Sequence, residues 1–338
     1  MKLVHKLLFS LGVYLALSVV AGIVISEASL HLRRLPLRHQ QQFAAFVHER
    51  YSAELNDVQI QAADGVILRA WYVQPTSFNG RAVVLTHGIT DNREGVAGYG
   101  KIFLDQGYAV LLPDARAHGE SGGDIATYGI REAGDLHRWI SWLYANKLSP
   151  SECVYGFGES YGAALVLQSL AVEHRYCAVA VEDSFSSARA ISYERVSGPL
   201  HLGAWFGRTL GLPALDSALL YSRLRYGVDL LKPSPLYAIE HSGVPVLLIQ
   251  GVEDRSIRPY HGKVLAAAAP DHVRLWLVPN AAIPWLGLRP IRNLKHVSSI
   301  GLLSTGARMA AVLSTCVQLQ STEEIRVQLK QSGRSAAW

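Results

Sequence analysis

Three short segments of this 338-residue chain hold residues whose types and order suit nucleophilic acyl chemistry. In CVYGFGESYGAA, Gly158, Ser160 and Gly162 form a Gly-x-Ser-x-Gly pattern behind an apolar run and ahead of a helix-prone one. Glycines two before and two after the serine permit a sharp strand-to-helix turn that leaves the hydroxyl exposed at the start of a helix. The bare pattern is weak; its flanking runs give it weight. In LTHGITDN, His87-Gly88 closes an apolar run and opens a polar loop. The amide of Ile89 could there join that of Tyr161 as a pair of donors to an oxyanion. In IQGVEDRSIRP, Asp254 follows a buried run, where a carboxylate could fix the tautomer of a histidine. The same aspartate would serve equally as a helix N-cap. With Ser160 first and Asp254 second, a histidine should come third.

Holding these residues together requires alternating strands and helices. Val58–Gln61 and Val66–Val73 read as strands joined by a hairpin at AADG. Ala82–Thr86 is a continuous apolar run of the kind buried on both faces of a sheet. YAVLLPD, Cys153–Gly156, CAVAVED, Pro245–Gln250 and Val273–Val278 predict further strands. Helices are predicted at Gly95–Gln106, Gly129–Ala145, Tyr161–Glu173 and Tyr260–Ala269. This grammar implies an α/β fold with a mostly parallel, doubly wound sheet behind an N-terminal antiparallel hairpin. The alternation breaks between Ser186 and Ser242, where Gly, Pro and aromatic residues at helical spacing read as a helical insertion, either a lid or an extended connection.

With PDARAHGESGG (Pro113–Gly123), which resembles a DxRGxGxS segment after the fourth strand, these motifs resemble the α/β-hydrolase superfamily. The chain resembles the broad group of serine hydrolases that includes serine aminopeptidase-like and prolyl-oligopeptidase-like enzymes and membrane-anchored bacterial members. The resemblance runs from about Asn56 to Ala282. It implies an α/β-hydrolase fold with Ser160 as nucleophile, Asp254 as triad acid, and Ile89 and Tyr161 as oxyanion amides. Asp183, in VEDSFSS, is a second position where some members carry the acid, although a loop cap explains it too. Substrates would be small acyl esters, thioesters or amides, with no cofactor and no metal.

The resemblance also implies a histidine just after the last strand, where VPNAAIPWLG has Ile283. Three explanations compete. His296 could substitute, although it stands 18 residues beyond Val278. The chain could be a catalytically inactive, membrane-tethered binding protein. Or the coding frame could slip at Ala282, since an alanine codon ending in C followed by the AT of an isoleucine codon reads CAT, histidine. Residues 283–338, with no Phe, Tyr or Asp but seven Ser and five Arg, read as an atypical tail. His261 and His272 fall at the wrong points of the alternation to act as base, and His87 and His118 read as residues that shape loops.

The net charge of +5 is uneven. Residues 41–282 carry 20 basic against 24 acidic residues, which argues against a nucleic-acid partner. Leu7–Ser26 is an uncharged run of 20 residues, long enough to cross a bilayer. Residues 1–28 therefore read as a membrane anchor, or a signal peptide that would leave the protein secreted or periplasmic; basic residues on both sides leave the orientation open. Residues 29–54 read as a juxtamembrane linker, 55–282 as the hydrolase domain and 186–242 as its insertion. Cys153, Cys177 and Cys316 read as buried, small apolar residues rather than a disulfide framework.

Overall fold

The computed structural model describes residues 2–149, 152–197, 203–232 and 234–279. An eight-stranded sheet organises them: β1 (Asn56–Gln61), β2 (Ile67–Val73), β3 (Arg81–Thr86), β4 (Ala109–Pro113), β5 (Cys153–Glu159), β6 (Tyr176–Glu182), β7 (Val246–Gly251) and β8 (Val273–Val278). Their spatial order is β1-β2-β4-β3-β5-β6-β7-β8. β1 and β2 pair antiparallel, β2 pairs antiparallel with β4, and every later pairing is parallel. This is an α/β-hydrolase fold.

Alternation along the strands builds a core on each face. Ala82 and Val84 point into one with Trp139, Ile140 and Leu143 of α4 (Glu132–Asn146) and Leu165 of α5 (Tyr161–Ser169). Val83 and Leu85 point into the other with Phe103 of α3 (Ala97–Leu104) and with Phe43 and Val47 of α2 (Gln40–Tyr51). Ahead of α2 stands α1 (Lys2–Leu30), and the insertion supplies α6 (Ala188–Ser197), α7 (Gly203–Arg208), α8 (Leu212–Tyr226) and α9 (Pro235–Glu240). Last comes α10 (Tyr260–Ala268).

Two sequence expectations need correction. Cys153 and Cys177, read as buried thiols, are joined in a disulfide with Cα atoms 5.7 Å apart. They open the adjacent parallel strands β5 and β6, and that register brings together residues 24 apart in sequence. The segment read as a juxtamembrane linker is folded against the domain. The amides of Arg38 and His39 donate to Glu94 at 2.8 and 2.6 Å, and Arg34 donates to the Ser121 and Gly123 carbonyls. The glutamine run opens α2, whose Phe43 stacks on Trp71 at 5.5 Å. The apolar residues of this helix were hidden from a linker reading by the polar run before them.

Candidate active site

Ser160 sits between the end of β5 and the start of α5 with φ 55° and ψ −111°. A non-glycine residue rarely adopts such a backbone, and the surrounding structure must hold it. Three contacts do so. The Ser160 amide donates to the Glu182 carbonyl at 2.8 Å. A Cβ on Gly158 would collide with the Gly162 carbonyl, and one on Gly162 with the Thr86 carbonyl. The Thr86 hydroxyl donates to the carbonyls of Phe157 and Gly162 at 3.1 and 3.0 Å, pinning the end of β3 to the turn. The glycines are thus required by close backbone approach, and the serine is left partly exposed at a helix start.

The two amides expected to bind an oxyanion lie at this end of the sheet. Tyr161 is the first residue of α5, and its ring is buried between Tyr128 and His118, with centroids 5.6 and 5.3 Å away. Its hydroxyl donates to Glu132 at 3.2 Å, and burial pushes its pKa well above the ordinary value. Ile89 follows β3 by three residues, directly before Thr90, whose φ is 56°.

Asp254 lies in the turn after β7. Its Oδ1 accepts from the amides of Ser256 and Ile257 at 2.6 and 3.0 Å, which caps the turn; it is not the N-cap of the next helix, since α10 begins at Tyr260 behind Pro259. Its buried Oδ2 takes no hydrogen bond among the described residues, and burial raises its pKa. Asp183, at φ 52° after β6, is arranged alike: Oδ1 accepts from Gln250 Nε2 at 2.5 Å and the Gly251 amide at 2.9 Å, and Oδ2 takes no hydrogen bond among the described residues. Burial first, then the neighbouring carboxylates, pushes its pKa up to about 8. The site therefore holds two buried acids, each with one oxygen held by amide donors and the other with no partner among the described residues but the neighbouring acid.

The described imidazoles are otherwise engaged. His87 Nδ1 donates to the Gly88 carbonyl at 2.8 Å and Nε2 accepts from the Ala115 amide at 3.1 Å. His261 Nδ1 accepts from the Ser186 amide at 3.1 Å. His118 Nδ1 donates to the Arg116 carbonyl at 2.9 Å, and its Nε2 takes no hydrogen bond among the described residues. Burial lowers the pKa of each to about 4, so all three are neutral near pH 7. No described histidine is hydrogen-bonded to Ser160 or Asp254. Ile283 and His296, the positions on which the third triad member turns, lie outside the described residues.

The insertion reaches over this end of the sheet. Arg195 of α6 donates to Ser256 at 3.0 Å, and Glu194 lies 4.0 Å from Arg258, so α6 is fastened to the turn that carries Asp254. Neither contact was legible in the sequence, because the residues are about 60 apart. Among the described residues, no group of His, Cys, Asp and Glu is arranged to hold a metal ion.

Residues 83–289 match the alpha/beta hydrolase family. An uncharacterized protein of Mycobacterium tuberculosis is 32% identical over 226 residues, covering 66% of this chain and 70% of its own. The uncharacterized protein YqkD of Bacillus subtilis is 26% identical over 259 residues, covering 74% and 81%. Among solved structures, the Pyrococcus furiosus esterase Pf2001 superposes with a TM-score of 0.62 at 20% identity, over 84% of this chain and 98% of that one. The Pyrococcus horikoshii acylaminoacyl peptidase superposes with a TM-score of 0.56 at 16% identity, over 80% of this chain and 42% of that one.

Proposed function

The chain belongs to the alpha/beta hydrolase family, and from that premise we propose that it is a membrane-anchored serine hydrolase that cleaves small acyl esters, thioesters or amides. The observation that carries the proposal is the strained, glycine-flanked turn that presents Ser160 at the start of α5. Backbone strain of this kind persists where the fold over-determines it, and here it aims a hydroxyl out of the sheet. Ser160 Oγ gives its proton to the base as it attacks the substrate carbonyl carbon, and collapse of the tetrahedral intermediate breaks the bond to the alcohol, thiol or amine, which leaves with that proton. The amides of Tyr161 and Ile89 donate to the oxyanion, and the acyl-enzyme is released by water. Asp254 is the acid that orients the base, with its bare Oδ2 available to an imidazole N–H. The base comes from the chain after β8, where His296 is the sole histidine.

The apolar helix α1 is read as an uncleaved anchor, and two observations support this. Its last turn is built into the domain, with the Leu30 carbonyl accepting from the Ala126 amide at 2.9 Å, and its uncharged run is long enough to cross a bilayer. The Cys153–Cys177 disulfide supports placing the domain on the oxidising, non-cytoplasmic side.

A second reading, a tethered binding protein without turnover, is favoured by the engagement of every described buried imidazole elsewhere. A fluorophosphonate probe separates the two. Labelling of the full chain that is lost in Ser160→Ala supports the hydrolase, and an unlabelled but folded protein favours the binder. If His296 is the base, His296→Ala abolishes labelling; undiminished labelling removes it from the mechanism.

A further inference from the structure

α1 does not stand apart from the domain: it is paired along its second half with α8 of the insertion. The buried positions of that half are Ser18, Gly22, Ser26 and Leu30, spaced four apart, and the first three form a small-residue seam. A Cβ on Gly22 would lie 2.5 Å from the Ala214 carbonyl oxygen and 2.6 Å from Ser217 Cβ, so the backbones are in near contact. Polar contacts fix the register. Tyr14 donates to the Leu210 carbonyl at 2.5 Å, and the Glu27 carboxylate accepts from Tyr221 and Tyr226 at 2.7 and 2.6 Å. The paired residue numbers rise together, so α8 runs parallel to α1.

That register places the insertion relative to any membrane α1 crosses. Tyr14 stands 12 residues before Ser26, the end of the uncharged run, which at 1.5 Å per residue is about 18 Å along the helix. A hydrocarbon core of about 30 Å spanned by Leu7–Ser26 would then contain Leu210 as well. The exposed side chains suit such a place: Trp205 and Leu210 are 58 and 57% exposed, and Leu220 and Leu224, nearer the Glu27 end, 56 and 77%. They continue the exposed apolar surface of α1, including Leu7, Leu11, Val13 and Leu17. The charges nearby are managed as lipid requires. Asp216 faces Arg189 at 3.5 Å, Arg208 lies over the Tyr193 ring at 5.5 Å, and Arg223 and Arg225 fall at the Glu27 end, at headgroup level.

We propose that the α7–α8 part of the insertion is a lipid-embedded wedge that enters the bilayer beside α1 and opens the candidate site against the membrane. This rests on the reading of α1 as a membrane anchor. The last turn of α1 reaches the ring beside the nucleophile turn. Tyr128 donates to the Ser29 carbonyl in the last turn of α1 at 2.9 Å, and its ring meets that of Tyr161, the residue after Ser160. α6, sequence neighbour of α7, is tied to Ser256 in the Asp254 turn.

The test uses the full chain, with Cys316→Ser to remove the unpaired thiol, in vesicles of phosphatidylcholine and phosphatidylglycerol. A fluorophore is attached in turn at Leu8→Cys on α1, Leu210→Cys, Leu224→Cys and Lys263→Cys on α10. The expected result is a severalfold loss of iodide quenching at 210 relative to 263 and a smaller loss at 224, near the headgroups, with strong quenching of the 210 label by nitroxides on the lipid chains. Labels at 210 and 224 quenched by iodide as strongly as at 263, with position 8 in lipid, overturn the wedge and leave the anchor standing. A water-exposed label at position 8 overturns both. Shielding at 210 and 224 from iodide and lipid nitroxide alike identifies a protein partner on this face, and also overturns the wedge.

Discussion

Asp183 and Asp254 end the neighbouring strands β6 and β7 close enough together that the charge of Asp254 helps to push the pKa of Asp183 up. Each holds one oxygen against hydrogen-bond donors, Gln250 and Gly251 for Asp183, Ser256 and Ile257 for Asp254, and each leaves the other buried without a hydrogen bond among the described residues. Two buried carboxylates side by side are costly when both are ionised. The upward shift of Asp183 favours its protonated form, which can donate to the Asp254 carboxylate.

The raised pKa of Asp183 makes stability depend on pH. Its folded value of about 8 lies above the ordinary 3.8, so the stabilisation is complete below about pH 4 and is lost as pH rises through about 8. Asp183→Asn keeps the Oδ1 acceptor and removes the charge. Relative to wild type, its urea midpoint should climb across that window. A difference that stays constant with pH would show that Asp183 titrates normally.

The buried histidines act in the opposite sense. His261, pushed down by burial to about 4 from an ordinary 6.5, contributes stability above the higher value that is lost as pH falls toward the lower one. His261→Asn can present its Oδ1 to the Ser186 amide in place of Nδ1. We expect its melting temperature to fall less than that of wild type on acidification through this range, as measured by circular dichroism.

Gly158→Ala and Gly162→Ala each drive a methyl into backbone carbonyls rather than into a yielding side chain. Overpacking of this kind costs about 1–3 kcal/mol or more. Both variants should lose probe labelling together with thermal stability, whereas Ser160→Ala should lose labelling alone. Labelled, stable glycine variants would argue against the tight turn.

Cys153→Ser opens the link between the starts of β5 and β6. Loop-closure entropy for a separation of 24 residues corresponds to roughly 3 kcal/mol. Urea unfolding of wild type in reductant should match the variant, with the difference vanishing if the thiols are already free. Because the disulfide lies at the opposite end of β5 from Ser160, labelling of the folded protein should be unaffected.

The sheet and the turn at Ser160 could be read from the sequence because each depends on local pattern. Apolar runs such as AVVLT and CAVAV alternate with helical periods, and glycines flank one serine between an apolar run and a helix-prone one, where the spacing suits a strand-to-helix turn. The same locality explains the misreadings. Cys153 and Cys177 carry no motif, and only the register of β5 on β6 brings them within bonding distance. Phe43 and Val47 of α2 follow a polar run that concealed a core helix.

By itself the sequence determined the fold class, the nucleophile candidate, two acid candidates and an apolar segment of membrane-spanning length. Tertiary structure decided which residues become neighbours when they are far apart in the chain. It set Asp183 beside Asp254, laid Arg195 of the insertion on Ser256, and seated Gly22 of α1 on Ala214 and Ser217 of α8. Such pairings arise from strand register and from helix backbones that approach only where side chains are small. Neither is encoded in a spacing that can be read along the chain.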